Sequence, residues 1–477
     1  MPPACAGTPE AEASGLRRPG VAIQALGRGS SGALGLQPQG ETRPRFPRLK
    51  PRGSECGAVP SASVARCRYD GAMPGYGALY WTERTPASTR PKYPPCRGAL
   101  MADVVVIGGG LTGAMAACVL ARGGLDVIVL EADRVASAGT AAGLGVVVPQ
   151  PTASFVETSA ALGLRAARTA WQTTRSSALD LLASARRLGV RCEALQLPLV
   201  AHAPRLEAVI ALRREQTARK DAGLAAPWLA PAALESLIGT DTAGGLKLAG
   251  AATLDPVRAA LGFLRAAEAA GARIFEHSPV RRTTFTRQSA RVRLANASID
   301  TGGVYVATAR PGALFPQLRR HVRESCTYTV VTEPLVGPMK RETGRRSVLV
   351  TEMPGQSPCL RWLKDDRAMF TGAQGPVVGP RQQDKVLVQR TGQLMYELSL
   401  RYPAISGLPA RWSWVTPVVT TADGLPWIGS HRNHPFHFFA IALGASGDAL
   451  GWFAAKAALR HFTGAARRED AVFAFTR

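Results

Sequence analysis

The run Val104-Val105-Val106-Ile107-Gly108-Gly109-Gly110-Leu111-Thr112-Gly113 constrains this chain most, because Val127-Ile128-Val129-Leu130-Glu131 answers it. A buried strand, a tight glycine turn, a helix over Ala114 to Arg122 and a second strand ending in an acid are the parts of a dinucleotide cradle. Gly108 permits the sharp turn, Gly110 lets backbone N–H groups approach a pyrophosphate, and Gly113 lets helix pack closely on strand. Ile107, Gly109, Leu111 and Thr112 complete the turn. The helix N-terminus offers its positive dipole end to the phosphates, and Glu131 can accept hydrogen bonds from a ribose. A membrane span is the competing reading, since Val104 to Ala121 is uncharged. Glycines in that run cost a helix about 1 kcal/mol each relative to Ala, and a strand follows directly, so the cradle is the better account. The turn alone does not separate NAD from FAD.

With 477 residues the chain can hold two or three cores. Its 46% hydrophobic and 6% aromatic content fits a globular enzyme and excludes a disordered or fibrous protein. The formal charge of +24 invites a nucleic-acid partner. The basic residues are scattered and not interleaved with aromatics, so general surface charge, with steering of an anionic substrate, is the expectation instead. Cys5, Cys56, Cys67, Cys96, Cys118, Cys192, Cys326 and Cys359 form no CxxC pair and have no His at ligand spacing. Neither a zinc site nor a disulfide framework is expected, and the expected compartment is a reducing cytoplasm.

Residues 1–72 are rich in Pro, Gly, Ser, Ala and Arg and lack apolar periodicity, so disorder is expected. Arg17-Arg18 before Val21-Ala22-Ile23 is a poor twin-arginine signal, and Pro and Gly oppose a transit helix. Translation from Met73 is the favoured reading. A lead-in over 73–100 contains Tyr80-Trp81-Thr82-Glu83-Arg84. Ala161, Leu162, Leu164, Ala167 and Trp171 recur at helical spacing within about 155–190, and further helices are expected over about 205–222 and 256–270. Leu195 to Ala201 and Val304 to Thr308 read as strands, the latter able to return to the first sheet, and Gly271-Ala272-Arg273-Ile274-Phe275 reads as a helix stop followed by a strand. The stretch from 325 to 420 alternates in strand fashion. Phe438 to Leu443 reads as a strand, followed by a turn at Gly444-Ala445-Ser446-Gly447 and a helix over Ala449 to His461.

Four separated segments together resemble the FAD-dependent oxidoreductases of the D-amino-acid oxidase superfamily, nearest the branch of glycine, sarcosine and gamma-glutamylputrescine oxidases. They are the glycine turn with Glu131; Leu254-Asp255-Pro256 with Gly271-Ala272 and Val280; Leu360-Arg361-Trp362 with Asp365-Asp366-Arg367; and Trp412-Ser413-Trp414 with Thr421 to Gly429. The likeness runs from about Met73 to the C-terminus. It implies an α/β fold in which a doubly wound, Rossmann-like FAD domain (101–195, 250–310 and 420–477) is interleaved with an α+β substrate domain (196–249 and 311–419) built on a large antiparallel sheet. It implies FAD as cofactor, with Ala138, Gly139, Thr140, Val280, Gly444 and Gly447 joining the glycine turn and Glu131 in holding it.

The chain also departs from the branch. Where the branch reads Gly-Ala-Ser-Gly-Arg-Asn-Gly-Gly, Ala138 to Gly145 keeps a hydroxyl in Thr140 but has Ala142 and Gly143 for Arg and Asn. Ala309 replaces a Gly after Thr308. Asp448 follows Gly447, where it can match a helix dipole or, if it faces the flavin, repel the anionic reduced ring. The resemblance implies oxidation of a C–N bond to an imine, by hydride transfer to the flavin, in a small amino acid or amine, with O2 or another acceptor as oxidant. Arg361 is the expected catalytic residue, its planar fork gripping a substrate carboxylate; a preference for carboxylated substrates follows. Cys359 sits where a sarcosine oxidase links FAD covalently, although a buried structural thiol is the commoner case. His277, His321 and His437 are expected at the surface or satisfied. A weakly catalytic FAD-binding subunit of a larger complex is the alternative, and an NAD(P)-linked reductase a third. No nucleic-acid partner and no membrane span are expected; homo- or hetero-oligomerisation stays open.

Overall fold

Val104, Val106, Val127 and Val129 point into one hydrophobic core, while Val105, Ile107, Ile128 and Leu130 point into another. Successive strand side chains face opposite sides, so a strand buried on both faces must be apolar at every position, and this is why both runs are uninterrupted. The computed structural model describes residues 77–224, 226–353 and 357–477. The extension expected over 1–72 lies outside the described residues.

Gly98–Ile107 pairs in parallel with Val127–Leu130 on one side and with Ala297–Ala309 on the other. Arg273–Phe275 adds in parallel beyond Val127–Leu130. The long strand Ala297–Ala309 has two successive neighbours on its far edge. Its first half carries the antiparallel hairpin Arg282–Phe285 and Ala290–Arg293, and its second half takes His434–Ile441 in parallel. Helices Leu111–Arg122, Pro256–Glu268 and Gly447–Phe462 cover one face. Asp255 caps the second of them, its Oδ1 accepting from the Arg258 N–H at 2.9 Å with Pro256 at the first helical position.

The second large sheet also has eight strands, in the order Ala410–Thr420, Arg323–Thr332, Ala368–Gly375, Cys359–Trp362, Leu349–Glu352, Leu199–His202, Gly245–Leu248 and Trp228–Leu229. All its neighbours are antiparallel except Leu349–Glu352 with Leu199–His202. The strand-like stretch after 325 also contains a helix that its alternation did not announce, Pro380–Arg401. Leu387, Leu394 and Leu398 seat that helix on Tyr328, Val330, Leu360 and Phe370. That gives the sheet one oily face and leaves the intervening positions, Thr327, Thr329 and Thr371 among them, on the other. Trp427–His431, antiparallel to His434–Ile441, is the eighth strand of the first sheet, and a three-stranded sheet of Val146–Val147, Ala252–Thr253 and Leu195–Gln196 completes the strand inventory of the described residues. Among them no helix is long and apolar enough to cross a membrane.

Candidate functional site

A cavity of about 670 Å³ begins at the glycine turn and ends on the hydroxyl face of the second sheet. Ile107, Gly108, Gly110, Leu111, Thr112, Glu131, Ala138, Gly139, Thr140, Val280, Gly444 and Gly447 all line it, and so does Asp448. Gly109 and Gly113 stand behind this surface. At Gly108 φ is +110°, and a Cβ there would lie 2.7 Å from the Ala307 carbonyl oxygen. A Cβ at Gly113 would lie 1.8 Å from the Gly108 carbonyl oxygen, so the helix meets the turn closer than any side chain allows. Glu131 braces the turn, its Oε2 accepting from the Gly109 N–H at 2.7 Å and its Oε1 from the Asp133 N–H at 3.0 Å. Thr140 Oγ1 accepts from the Leu111 N–H at 2.8 Å, capping the helix that follows the turn.

The segment from Ala142 to Gly145, where the Arg and Asn of the resemblance are missing, is held from behind by its carbonyls. Ala142 O accepts from Trp414 Nε1 at 3.0 Å and from Thr416 Oγ1 at 2.9 Å. Gly143 O accepts from Trp81 Nε1 at 2.8 Å. Arg361 Nη1 lies 2.7 Å from Leu144 O, 2.8 Å from Gly145 O and 2.9 Å from Leu254 O. Trp81 belongs to the lead-in helix Tyr80–Arg84, whose first two residues are only 1% exposed.

This corrects the expectation for Arg361. The residue does not line the cavity. A guanidinium only 7% exposed needs local partners, and it finds them in backbone carbonyls and in the Trp81 ring, 4.9 Å from its centre. Burial pulls its pKa down to about 10. Cys359 does line the cavity, and burial pushes its thiol up to about 12, which keeps it protonated and a poor nucleophile.

Among the described residues no Lys, Arg or His side chain lines the cavity. The second sheet presents Thr327, Thr329, Thr351 and Thr371 instead, with Gln374 and Ser357. Their signal in the sequence was the two-residue spacing of Thr327 and Thr329, which places both on one face. Asp448 opens on the cavity in the first turn of Gly447–Phe462, and burial lifts its carboxyl to about 7. That rise from 3.8 corresponds to about 4 kcal/mol, against a helix-dipole contribution of at most about 2 kcal/mol. Burial therefore dominates. Among the described residues no group of His, Cys, Asp or Glu is arranged to hold a metal ion.

The histidine expectation holds only in part. His277 is half-exposed, its Nδ1 3.8 Å from Asp133. His437 is fully buried with both ring nitrogens unpartnered, in a row with His434 and His431 at ring-centre spacings of 5.4 and 6.0 Å. Burial pulls His437 down to about 4.

Residues 103–460 match the model of the family described as FAD dependent oxidoreductase. The chain belongs to that family. It is an FAD-dependent oxidoreductase, and this is consistent with a cradle that admits no Cβ at Gly108 or Gly113. Over 368 residues it is 23% identical to a probable oxidoreductase, OrdL, of Haemophilus influenzae, covering 75% of this chain and 82% of that one. Over 349 residues it is 24% identical to gamma-glutamylputrescine oxidoreductase of Escherichia coli, covering 72% and 80%. Its fold is similar to that of glycine oxidase from Geobacillus kaustophilus (TM-score 0.66, 19% identity, 79% of this chain and 99% of that one). It is also similar to L-proline dehydrogenase from P. horikoshii (TM-score 0.65, 18% identity, 78% and 95%). The lead-in helix lies ahead of the residues that the family model matches.

Proposed function

We propose that this oxidoreductase converts the C–N bond of a small amino acid or amine to an imine, which water then hydrolyses, with O2 or another acceptor as terminal oxidant. FAD, when bound, supplies the two-electron acceptor. The proposed holders of its phosphates are the turn from Ile107 to Gly113, with Glu131 for the adenosine ribose and Ala138, Gly139, Thr140, Val280, Gly444 and Gly447 along the rest. In this reading 101–195, 250–310 and 420–477 serve the cofactor, and 196–249 and 311–419 serve the substrate.

The observation that carries the reading is the shape of the cavity. One space joins the glycine turn to the hydroxyl face of the second sheet, which supports a reading in which a dinucleotide and a small molecule share it. The protein's own contribution is positional. Trp81, Arg361, Trp414 and Thr416 fix the loop between the two ends, and a fixed loop aims whatever it touches. Anaerobic mixing of the FAD-loaded protein with a panel of amines and amino acids tests the reading. Bleaching of the flavin absorbance by at least one member is expected, and a flavin left fully oxidised by all of them would overturn it.

A further inference from the structure

We propose that Asp448 is the substrate-holding group and that the substrate is a cationic amine with no carboxylate beside its nitrogen. The proposal rests on the oxidase reading and narrows it. Among the described residues two carboxylates line the cavity. Glu131 is committed to the Gly109 and Asp133 N–H groups at the glycine turn. Asp448 has no hydrogen-bond or ion-pair partner among the described residues, although the charge of Arg361 acts on it from a distance. Burial holds its carboxyl well above the usual carboxylate range, and a bound cation relieves that strain on its ionised form.

The neutral wall points the same way. Thr327 Oγ1 donates to Gly372 O at 2.9 Å, Thr371 Oγ1 to Tyr328 O at 3.0 Å, and Thr351 Oγ1 to Pro358 O at 3.2 Å. A hydroxyl that has given its proton to the backbone retains only acceptor lone pairs. Those lone pairs suit the N–H donors of an ammonium and not the oxygens of a carboxylate. A carboxylated substrate would also bring a second negative charge towards Asp448, with no cation among the described residues of the cavity wall to receive it.

The test uses two probes of one shape, tert-butylammonium and pivalate, neither of which has a C–H beside the polar group to oxidise. Calorimetric titration of the FAD-loaded protein should show tert-butylammonium binding at least tenfold more tightly than pivalate. Asp448→Asn should weaken the ammonium at least tenfold and pivalate less than threefold, and Asp448→Glu should restore part of the loss. Equal or tighter binding of pivalate, or full ammonium binding by Asp448→Asn, overturns the proposal and leaves the oxidase reading standing. The wild-type comparison needs no variant to fold. Asp448-dependent ammonium binding in a protein whose flavin no amine or amino acid bleaches supports the site and overturns the oxidase reading.

Discussion

The guanidinium of Arg361 lies over the indole of Trp81, 4.9 Å from the ring centre, and the two side chains together hold the carbonyls of Gly143, Leu144 and Gly145. Neither side chain lines the cavity, but the loop they fix does, through Gly143, Leu144 and Gly145. Arg361→Met leaves the Leu144 and Leu254 carbonyls without their Arg361 donor, although Gly145 O keeps the Leu254 N–H, and should cost about 2–4 kcal/mol. Trp81→Phe keeps the ring but loses one hydrogen bond, about 1 kcal/mol. Urea unfolding should rank the two in that order, and FAD should wash out faster from both on dialysis. Arg361→Met with parental stability and FAD retention would show that the clamp is idle.

Gly108→Ala should damage the cradle locally. Its φ of +110° is hostile to any side chain, and the new Cβ must press on the Ala307 carbonyl. Strain of this kind costs about 1–3 kcal/mol. The purified variant should carry less FAD per chain than the parent at unchanged far-ultraviolet circular dichroism. An equally yellow variant counts against the turn as the cofactor cradle.

Stability should fall with rising pH through Asp448. The carboxyl titrates near 3.8 when unfolded and near 7 when folded, so the unfolded chain loses its proton first and folding weakens across that interval. Between about pH 5 and pH 8 the native protein should lose about 1–2 kcal/mol that Asp448→Asn does not, water in the cavity reducing the full value. Parallel pH profiles for the two proteins would contradict this.

The buried histidine row titrates in the opposite sense. His437 has an ordinary value of 6.5 and is held near 4 in the fold, with His434 beside it and Arg320 and Arg432 acting on the neighbouring His431. Stability is therefore complete above about 6.5 and is lost as pH falls towards 4, because the unfolded chain takes up the proton more readily. His437→Phe should flatten the acid limb of a melting-temperature profile, with little change at neutral pH. An acid limb of unchanged slope would rule His437 out as its source.

The strand-turn-helix unit was legible because its requirements are local. Gly108, Gly113 and the doubly buried strands Val104–Ile107 and Val127–Leu130 satisfy constraints imposed within thirty residues of each other. The helix Pro380–Arg401 was missed because its apolar stripe is narrow, Leu387, Leu394 and Leu398 standing among charged and amide residues. Arg361 misled for a different reason. A fork suited to a carboxylate is equally suited to backbone oxygens, and only the tertiary fold decides which it meets. Tyr80 and Trp81 gave no periodic signal at all, since a helix of five residues has no face to count.

The loop from Ala142 to Gly145 draws its supports from across the whole chain. Its partners stand 62 residues away in Trp81, 272 in Trp414 and 217 or 216 in Arg361. Contacts of such separation form late, after the entropy of closing long loops has been overcome. The strand-turn-helix unit can assemble from its own neighbourhood, but this loop cannot be set until segments as far apart as Trp81 and Trp414 have arrived. Tight FAD retention is therefore a signature of completed folding, and a chain interrupted anywhere between Trp81 and Trp414 should collapse without acquiring it.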